Sequence, residues 1–198
     1  MATRLDTSWL NIKKIKLVYE VNMKKFLHLG CGFRPIKSDD IYKVTNLDVL
    51  DYPGVDVVAP AFPLKFEDNI FDIVYASHLL EHYSKRLVQE VLKEWTRVLK
   101  KGGQLRISVP NFAMLAELYT KYKRLDLVSP ILGAQSSFYD YHFSIFDEIT
   151  LTKIMQDAGL TAIHFWKPER VFHTNMWDFS QAETMGINIS LNLEGRKK

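Results

Sequence analysis

The sequence has little of several features that would define a protein class at once. Its single cysteine, Cys31, cannot close an intramolecular disulfide and has no second cysteine for a paired-cysteine zinc site. No apolar stretch approaches the ~20 residues that span a bilayer. The first residues lack the apolar run and the small-residue cleavage site of a signal peptide. We therefore expect a cytoplasmic protein with no membrane partner, whose hydrophobic core carries its stability.

The excess of positive over negative charge is also small. The chain has 26 Lys and Arg against 23 Asp and Glu, a net charge of +3. This surplus argues against nucleic acid as a partner, because non-specific phosphate binding needs a clustered basic surface. With 198 residues, 47% hydrophobic and 25% charged, the composition is that of a globular domain. We predict one domain over residues 24–198, preceded by an N-terminal extension over residues 1–23.

Secondary structure is indicated by the spacing of apolar residues. From Lys24 onward short apolar runs alternate with helical spacings, a pattern typical of an α/β fold. Seven strands are predicted, at residues 26–29, 44–47, 55–58, 71–76, 105–109, 161–166 and 187–193. The clearest helix follows the fourth strand, with Ser84 as its expected N-cap. Asn111 and Ser144 are expected to cap the next two helices.

The turn after the first predicted strand is a candidate binding element. Gly30 and Gly32 flank Cys31 there, and glycines allow a tight turn and a close approach of ligand to backbone. Two glycines can also be only a turn, and without the third glycine of the dinucleotide fingerprint a nicotinamide cofactor is disfavoured. Asp48 ends the second strand, 18 residues after Gly30. Its carboxylate can accept both hydroxyls of a ribose, or it can cap a loop.

Five motifs together resemble a known family, the type 11 methyltransferase-domain proteins among the class I S-adenosylmethionine-dependent methyltransferases. The motifs are FLHLGCG (26–32), NLD (46–48), PLKFEDNIFD (63–72), HLLEH (78–82) and VLKKGG (98–103). The resemblance extends from residue 24 to about residue 193. It implies a Rossmann-like seven-stranded α/β sheet with helices on both faces and the last strand antiparallel, inserted between strands five and six. It also implies S-adenosyl-L-methionine as the cofactor.

The resemblance further implies a set of cofactor-binding residues, with the glycine turn on the methionine portion and Asp48 on the ribose. The set is His28, Gly30, Cys31, Gly32, Asp48, Leu64, Ser77 and His78. Two positions depart from the family pattern. His28 replaces a usual acidic residue, and Pro60 stands where an Asp commonly accepts from the adenine amino group. Because proline lacks that carboxylate, weaker cofactor binding is one expectation.

Few catalytic residues are needed for methyl transfer from a sulfonium, because the leaving group is already activated. A hydroxyl acceptor benefits from a base that removes its proton, and histidine is suited to this role. His142 is the preferred base, with Asp140 as a candidate to orient it. His82 is the second candidate, although a structural hydrogen bond would explain it equally well. His78 and His173 are further candidates. The His and Asp residues show no metal-ligand spacing, so no metal is predicted.

The predicted function is O-methylation of a small-molecule or saccharide acceptor. Residues 111–148 and 167–186 are candidate segments that cover this substrate, because aromatic side chains are dense in and around them. Core packing would account for many of the same rings. The alternative is a catalytically idle methyltransferase-fold module that acts through a partner. The sequence leaves the acceptor atom and the oligomeric state open.

Overall fold

A computed structural model describes residues 23–168 and 177–198. The predicted N-terminal extension therefore lies, except for residue 23, outside the described residues. Residues 169–176, including His173, also lie outside them. In the part of the chain that is described, no helix combines the length and apolar character needed to cross a membrane.

The predicted seven-stranded sheet is confirmed. Its strands are β1 (Lys24–Leu29), β2 (Tyr42–Asp48), β3 (Val57–Val58), β4 (Phe71–Ser77), β5 (Leu99–Pro110), β6 (Leu160–Phe165) and β9 (Ser190–Lys197). They lie in the order β3-β2-β1-β4-β5-β9-β6, and β1 to β5 pair in parallel. The last strand, β9, runs antiparallel to both β5 and β6. The expected insertion of an antiparallel strand between the fifth and sixth strands is therefore confirmed.

Within residues 23–168 and 177–198, three α-helices connect or follow these strands. They are α1 (Val88–Val98), α2 (Phe112–Tyr122) and α3 (Glu148–Asp157), and short 3₁₀ helices cover Leu80–His82, Leu125–Ile131 and Phe179–Gln181. The apolar sides of α1 and α3 share one buried cluster with Leu27 and Leu29 of β1. Alternate residues of the strands point to the opposite face, where Phe26 and Tyr75 pack with Trp166. The sheet is thus buried on both faces, as its parallel strands require.

The helix starts were predicted with mixed success. The Asn111 side chain caps α2, as expected. Ser84 was the wrong cap for α1, because a turn intervenes and Leu87 takes the N-cap position without a side-chain hydrogen bond. Ser144 was also wrong, since its hydroxyl donates to a backbone carbonyl. Asp147 caps α3 instead, in a reciprocal capping box.

The last strand was predicted seven residues long but is divided in two. A two-residue strand β8 (Ile187–Asn188) pairs with β7 (Glu183–Thr184), and β9 begins only at Ser190. The division follows from a side-chain contact: the Asn188 side chain accepts a hydrogen bond of 2.7 Å from the Ser190 N–H. Such local bonding competes with a continuous strand. The alternating apolar pattern therefore crosses two elements.

Candidate active site

A cavity of about 490 Å³ opens at the carboxyl ends of β1, β2 and β4. This is the edge where open parallel sheets bind ligands, and the volume lies within the ~300–1,000 Å³ typical of small-molecule sites. Six described segments of the chain form its wall: residues 28–34, 47–52, 60–62, 77–83, 137–140 and 178–179. The polar, glycine and aromatic residues on it include His28, Gly30, Gly32, Asp48, Ser77, His78, His82, Tyr139, Asp140, Asp178 and Phe179, and Pro60 also lines it.

The glycine turn keeps part of the wall free of side chains. Gly30 and Gly32 have φ values of +63° and +51°, a conformation that other residues adopt at a cost. A Cβ at Gly30 would lie 3.0 Å from the Leu79 side chain, whereas one at Gly32 would meet no described atom within 4 Å. Gly32 therefore leaves an open cradle on the cavity. The Cys31 N–H is already used, since it donates to the Leu47 carbonyl at 3.1 Å.

Asp48 is held rigidly at this cradle. Its Oδ2 accepts from the Gly32 N–H at 2.8 Å and its Oδ1 from the Leu50 N–H at 3.0 Å. The residue is 8% exposed and lines the cavity. Each carboxylate oxygen keeps further capacity as an acceptor. A ribose diol can therefore bind a carboxylate that is already oriented, and the open cradle beside it fits the remainder of a nucleoside cofactor.

His28 does not supply the acidic group that usually occupies its position. Burial lowers the pKa of His28 to about 4, although Asp178 and Asn46 oppose the shift. The imidazole is therefore neutral near pH 7. A buried carboxylate reaches the same wall from a distant segment: Asp178 accepts hydrogen bonds from the Tyr75 hydroxyl and from Ser180. Negative charge is thus present at this end of the cavity.

The opposite side of the cavity contains a cluster built on the 3₁₀ helix Leu80–His82. Glu81 is fully buried, and neither of its oxygens has a hydrogen-bond partner among the described residues. His78 Nδ1 lies 3.2 Å and His142 Nε2 3.9 Å from Glu81 Oε1. Burial acts to raise the pKa of Glu81, but the nearby His78, together with His82 and His142, lowers it below its ordinary value. The carboxylate is therefore charged.

The two histidines considered as bases occupy different places. His82 lines the cavity, and its Nδ1 lies 3.0 Å from the Tyr141 carbonyl oxygen. His142 is absent from the described cavity wall; its Nδ1 lies 2.7 Å from the Pro130 carbonyl oxygen, and burial lowers its pKa. A carbonyl can only accept, so each Nδ1 carries a hydrogen, and in the neutral form of either ring the lone pair lies on Nε2. The rings meet edge to face, with centroids 4.7 Å apart.

Asp140, the candidate to orient His142, forms a hydrogen bond within its own loop, as an ordinary polar loop residue does. It accepts from the Ser136 hydroxyl, four residues before it. Glu81 is the carboxylate that lies beside His142. Apart from the presence of an acid in an apolar segment, no sequence signal indicated this partner, because 61 positions separate Glu81 from His142. Chain reversal between β5 and α3 brings the two together.

The structure brings most of the predicted site residues to one cavity. The expected cofactor residues on its wall are His28, Gly30, Gly32, Asp48, Ser77 and His78. Cys31 and Leu64 are buried and are not part of the described wall. Leu64 packs in the main core, and its N–H donates to Glu94 at 2.9 Å. Pro60 does lie on the wall, as its place in the sequence suggested.

The aromatic residues divide into two groups. Phe146 and Trp166 are buried, whereas many of the remaining rings are exposed. The exposed rings in the two candidate covering segments include Phe138, Tyr139, Tyr141, Phe143, Trp177 and Phe179. Tyr139 and Phe179 line the cavity, and the Arg34 guanidinium lies 4.6 Å from the Phe179 ring centroid. Core packing therefore accounts for only part of the aromatic content.

Known methyltransferases are similar in sequence to the part of the chain that forms most of this cavity. Residues 27–107 match the family model described as a methyltransferase domain. A ubiquinone/menaquinone biosynthesis C-methyltransferase from Ectopseudomonas mendocina is 31% identical over 153 residues, which cover 70% of this chain and 56% of the relative. A Salmonella newport protein of the same name is 29% identical over 134 residues, covering 63% of this chain and 52% of the relative. The chain spans about half the length of these curated relatives.

Solved structures share the fold at lower identity. A Thermotoga maritima methyltransferase described as a possible histamine N-methyltransferase has a TM-score of 0.55 and 18% identity, covering 96% of this chain and 97% of that one. The Burkholderia thailandensis 1,6-didemethyltoxoflavin-N1-methyltransferase, solved with its substrate and S-adenosylhomocysteine, has a TM-score of 0.53 and 15% identity, covering 97% and 79%. These similarities establish the fold.

Sheet topology and these similarities define the fold of the class I S-adenosylmethionine-dependent methyltransferases. Residues 27–107 carry the sequence similarity to the methyltransferase-domain model. The Gly32 cradle and Asp48 lie at the edge of the sheet where this fold can hold a nucleoside cofactor.

Proposed function

We propose that the protein methylates a hydroxyl group of a small molecule or a saccharide, with residues 111–148 and 167–186 covering the acceptor. The proposed cofactor is S-adenosyl-L-methionine, which would supply an activated sulfonium methyl group. On the chain's side, Asp48 would hold the ribose and the backbone at residues 30–32 would hold the methionine portion. Pro60 leaves the adenine with apolar and backbone contacts, since it offers no side-chain acceptor.

One observation supports an acceptor that gives up a proton: the His82 ring lines the cavity while the Tyr141 carbonyl engages its Nδ1, so Nε2 of the neutral ring can take that proton. A hydroxyl must lose its proton during methylation, whereas a neutral amine attacks through a lone pair that it already has. His82 accepts that proton. His142 packs against its ring and acts as a positioning residue, because it lies behind the described wall. The catalytic role thereby passes from His142 to His82.

The covering role of the two segments is supported by where their side chains lie. Tyr139 and Asp140 from the first segment and Asp178 and Phe179 from the second reach the cavity. Tyr139 and Phe179 are 49% and 45% exposed, so their rings have faces left to contact a ligand. Aromatic faces are suited to stacking on sugars and planar acceptors. The acceptor would then lie between these rings and His82.

The test is methyl transfer by the full chain to a panel of nucleotide sugars, free saccharides and phenols. We expect a methyl ether as product, identified by mass spectrometry and NMR. His82→Gln should lower kcat by ~10²–10⁴-fold, the contribution of a general base, and leave the cofactor Kd unchanged. His164→Gln is the matched control, because His164 is exposed and has no described contact with the cavity.

A second candidate is methylation of carbon, favoured by the names of the curated relatives, which are C-methyltransferases. A carbon acceptor also loses a proton, so His82 would keep its role. A product methylated at carbon would overturn the hydroxyl proposal. Tight cofactor binding with no transfer to any acceptor of the panel would favour the idle binding module instead.

A further inference from the structure

Glu81, His82 and His142 are grouped closely enough to bind a metal ion, which proton transfer by His82 does not require. Glu81, His82 and His142 each offer one ligand atom, and these three atoms lie within 4.8 Å of one another. The residues come from two segments with no metal-binding spacing in the sequence. We propose that these three side chains form a binding site for one divalent transition-metal cation, with zinc as the best match.

The charge of the cluster supports a cation. Glu81 is 0% exposed, and both of its oxygens lack a hydrogen-bond partner among the described residues. His78 Nδ1 lies 3.2 Å from Glu81 Oε1, within ion-pair distance, so the charge of Glu81 is compensated in part when that ring is protonated. A buried carboxylate without hydrogen bonds is destabilising unless a positive charge compensates for it. A metal ion supplies that charge and uses the free oxygens as ligands.

The orientation of both rings also matches a metal site. The Nδ1 of His82 and the Nδ1 of His142 are each engaged by a backbone carbonyl, at 3.0 Å and 2.7 Å. Metal-binding histidines usually donate their second ring nitrogen to such a carbonyl or to a carboxylate, which fixes the tautomer and the ring. Nε2 of each ring is then the nitrogen that keeps a lone pair for a metal. His142 Nε2 lies 3.9 Å from Glu81 Oε1.

The number and type of ligands select the metal. Two imidazoles and one carboxylate form a three-ligand zinc set that leaves a fourth position open. Zinc bonds of ~2.0–2.1 Å place tetrahedral ligand atoms about 3.4 Å apart, so the cluster must contract slightly on binding. Since His82 lines the cavity, the fourth position lies on the cavity side, where water or an acceptor hydroxyl can bind.

Zinc binding and proton transfer compete for the same lone pair of His82. The cation site is therefore tested without cofactor or acceptor, and it does not depend on the proposed reaction. A protein that binds no zinc but transfers methyl groups would overturn the site and leave His82 as the base. A protein that binds zinc at these residues supports the site, whichever acceptor it methylates.

The experiment uses the full chain freed of metals by chelation and dialysis. Calorimetry with ZnCl₂ should give one zinc per chain, and CoCl₂ should give the visible absorption of a four- or five-coordinate cobalt ion. Glu81→Gln and His142→Gln should each weaken zinc binding by at least ~10–100-fold, the loss expected even for outer-shell changes. The control His164→Gln changes an exposed histidine that also lies beside a glutamate, Glu194, and should bind zinc like the wild type.

Circular dichroism and thermal unfolding check the fold of each variant. If Glu81→Gln does not fold, His82→Gln replaces it, because that side chain faces the cavity and not the core. Equal zinc affinity in the wild type and the folded ligand variants would overturn the proposal. So would the absence of one-to-one binding, or a six-coordinate cobalt spectrum in the wild type.

Discussion

The cofactor side of the cavity is assembled from neighbouring strands, whereas the histidine side is assembled from distant segments. Gly32 and Asp48 are 16 positions apart and are joined by a hydrogen bond between the ends of β1 and β2. His82 and the Tyr141 carbonyl that fixes its ring are 59 positions apart. The first side is therefore specified by one strand-turn unit and its partner. The second depends on how the chain returns after β5.

The two sides also differ in what satisfies their polar groups. Both oxygens of Asp48 accept backbone N–H groups, so that side is complete before any ligand binds. Glu81 on the other side has both oxygens without a hydrogen bond among the described residues. A preorganised side binds a common cofactor with little rearrangement, while an unsatisfied side changes more readily with its ligand.

Asp48→Asn should break the preorganised side and have the largest effect. The amide presents a donor where the Gly32 or Leu50 N–H needs an acceptor, and it removes charge from the ribose site. We expect the Kd for S-adenosylhomocysteine to rise by at least ~100-fold, about 3 kcal/mol, in a calorimetric titration. The exposed neighbour Asp51 provides the control Asp51→Asn, for which we expect no change. Equal affinities for the two variants would remove Asp48 from the cofactor site.

His28→Asn should change how the free energy of unfolding depends on pH, because His28 is buried at the Asp48 side of the cavity. The unfolded-state pKa is near 6.5 and the folded-state pKa is about 4, because burial disfavours the charged ring. Between these values the unfolded chain binds more protons, so His28 lowers stability as the pH falls below ~6.5 and has no effect above it. The loss attributable to His28 should reach about 2 kcal/mol at pH 5.

The measurement is urea unfolding of the wild type and His28→Asn at pH 7 and pH 5. The variant should lose about 2 kcal/mol less than the wild type on acidification, and its amide can keep the contact with Asn46. Parallel losses in wild type and His28→Asn would show that His28 does not titrate with folding.

The sequence predicted the cofactor side better than the histidine side, for a physical reason. Strand periodicity and the glycine turn are local, and the parallel sheet brings the ends of β1 and β2 together once the strands are known. The position of His142 depends on the loop between α2 and α3, which has no periodicity to interpret. Asp140, two residues from His142, was the nearest acid in the sequence but not in space. Glu81 became its neighbour only through the tertiary fold.

Other residues near the cavity also show the difference between contacts that local sequence patterns predict and contacts that only the tertiary fold creates. Asp178 reaches the cavity beside His28 although 150 positions separate them, and no local pattern indicated this. Leu64 lies in a motif that resembles the family, but its side chain packs in the core. A motif therefore locates a segment reliably, while the direction of each side chain depends on packing that the motif does not contain.

Tyr139→Ala should have the smallest effect and act on the histidine side alone. The ring is half exposed on the cavity wall, so its removal leaves no buried void. Losing one aromatic contact of about 1 kcal/mol should raise the acceptor KM by ~5-fold, with the cofactor Kd unchanged. Tyr119→Ala, at a 40% exposed ring on α2 outside the described wall, is the control and should leave both constants unchanged. An equal loss of cofactor and acceptor binding in Tyr139→Ala would mean that the two sides of the cavity are not separable, because a contact on one would then support the other.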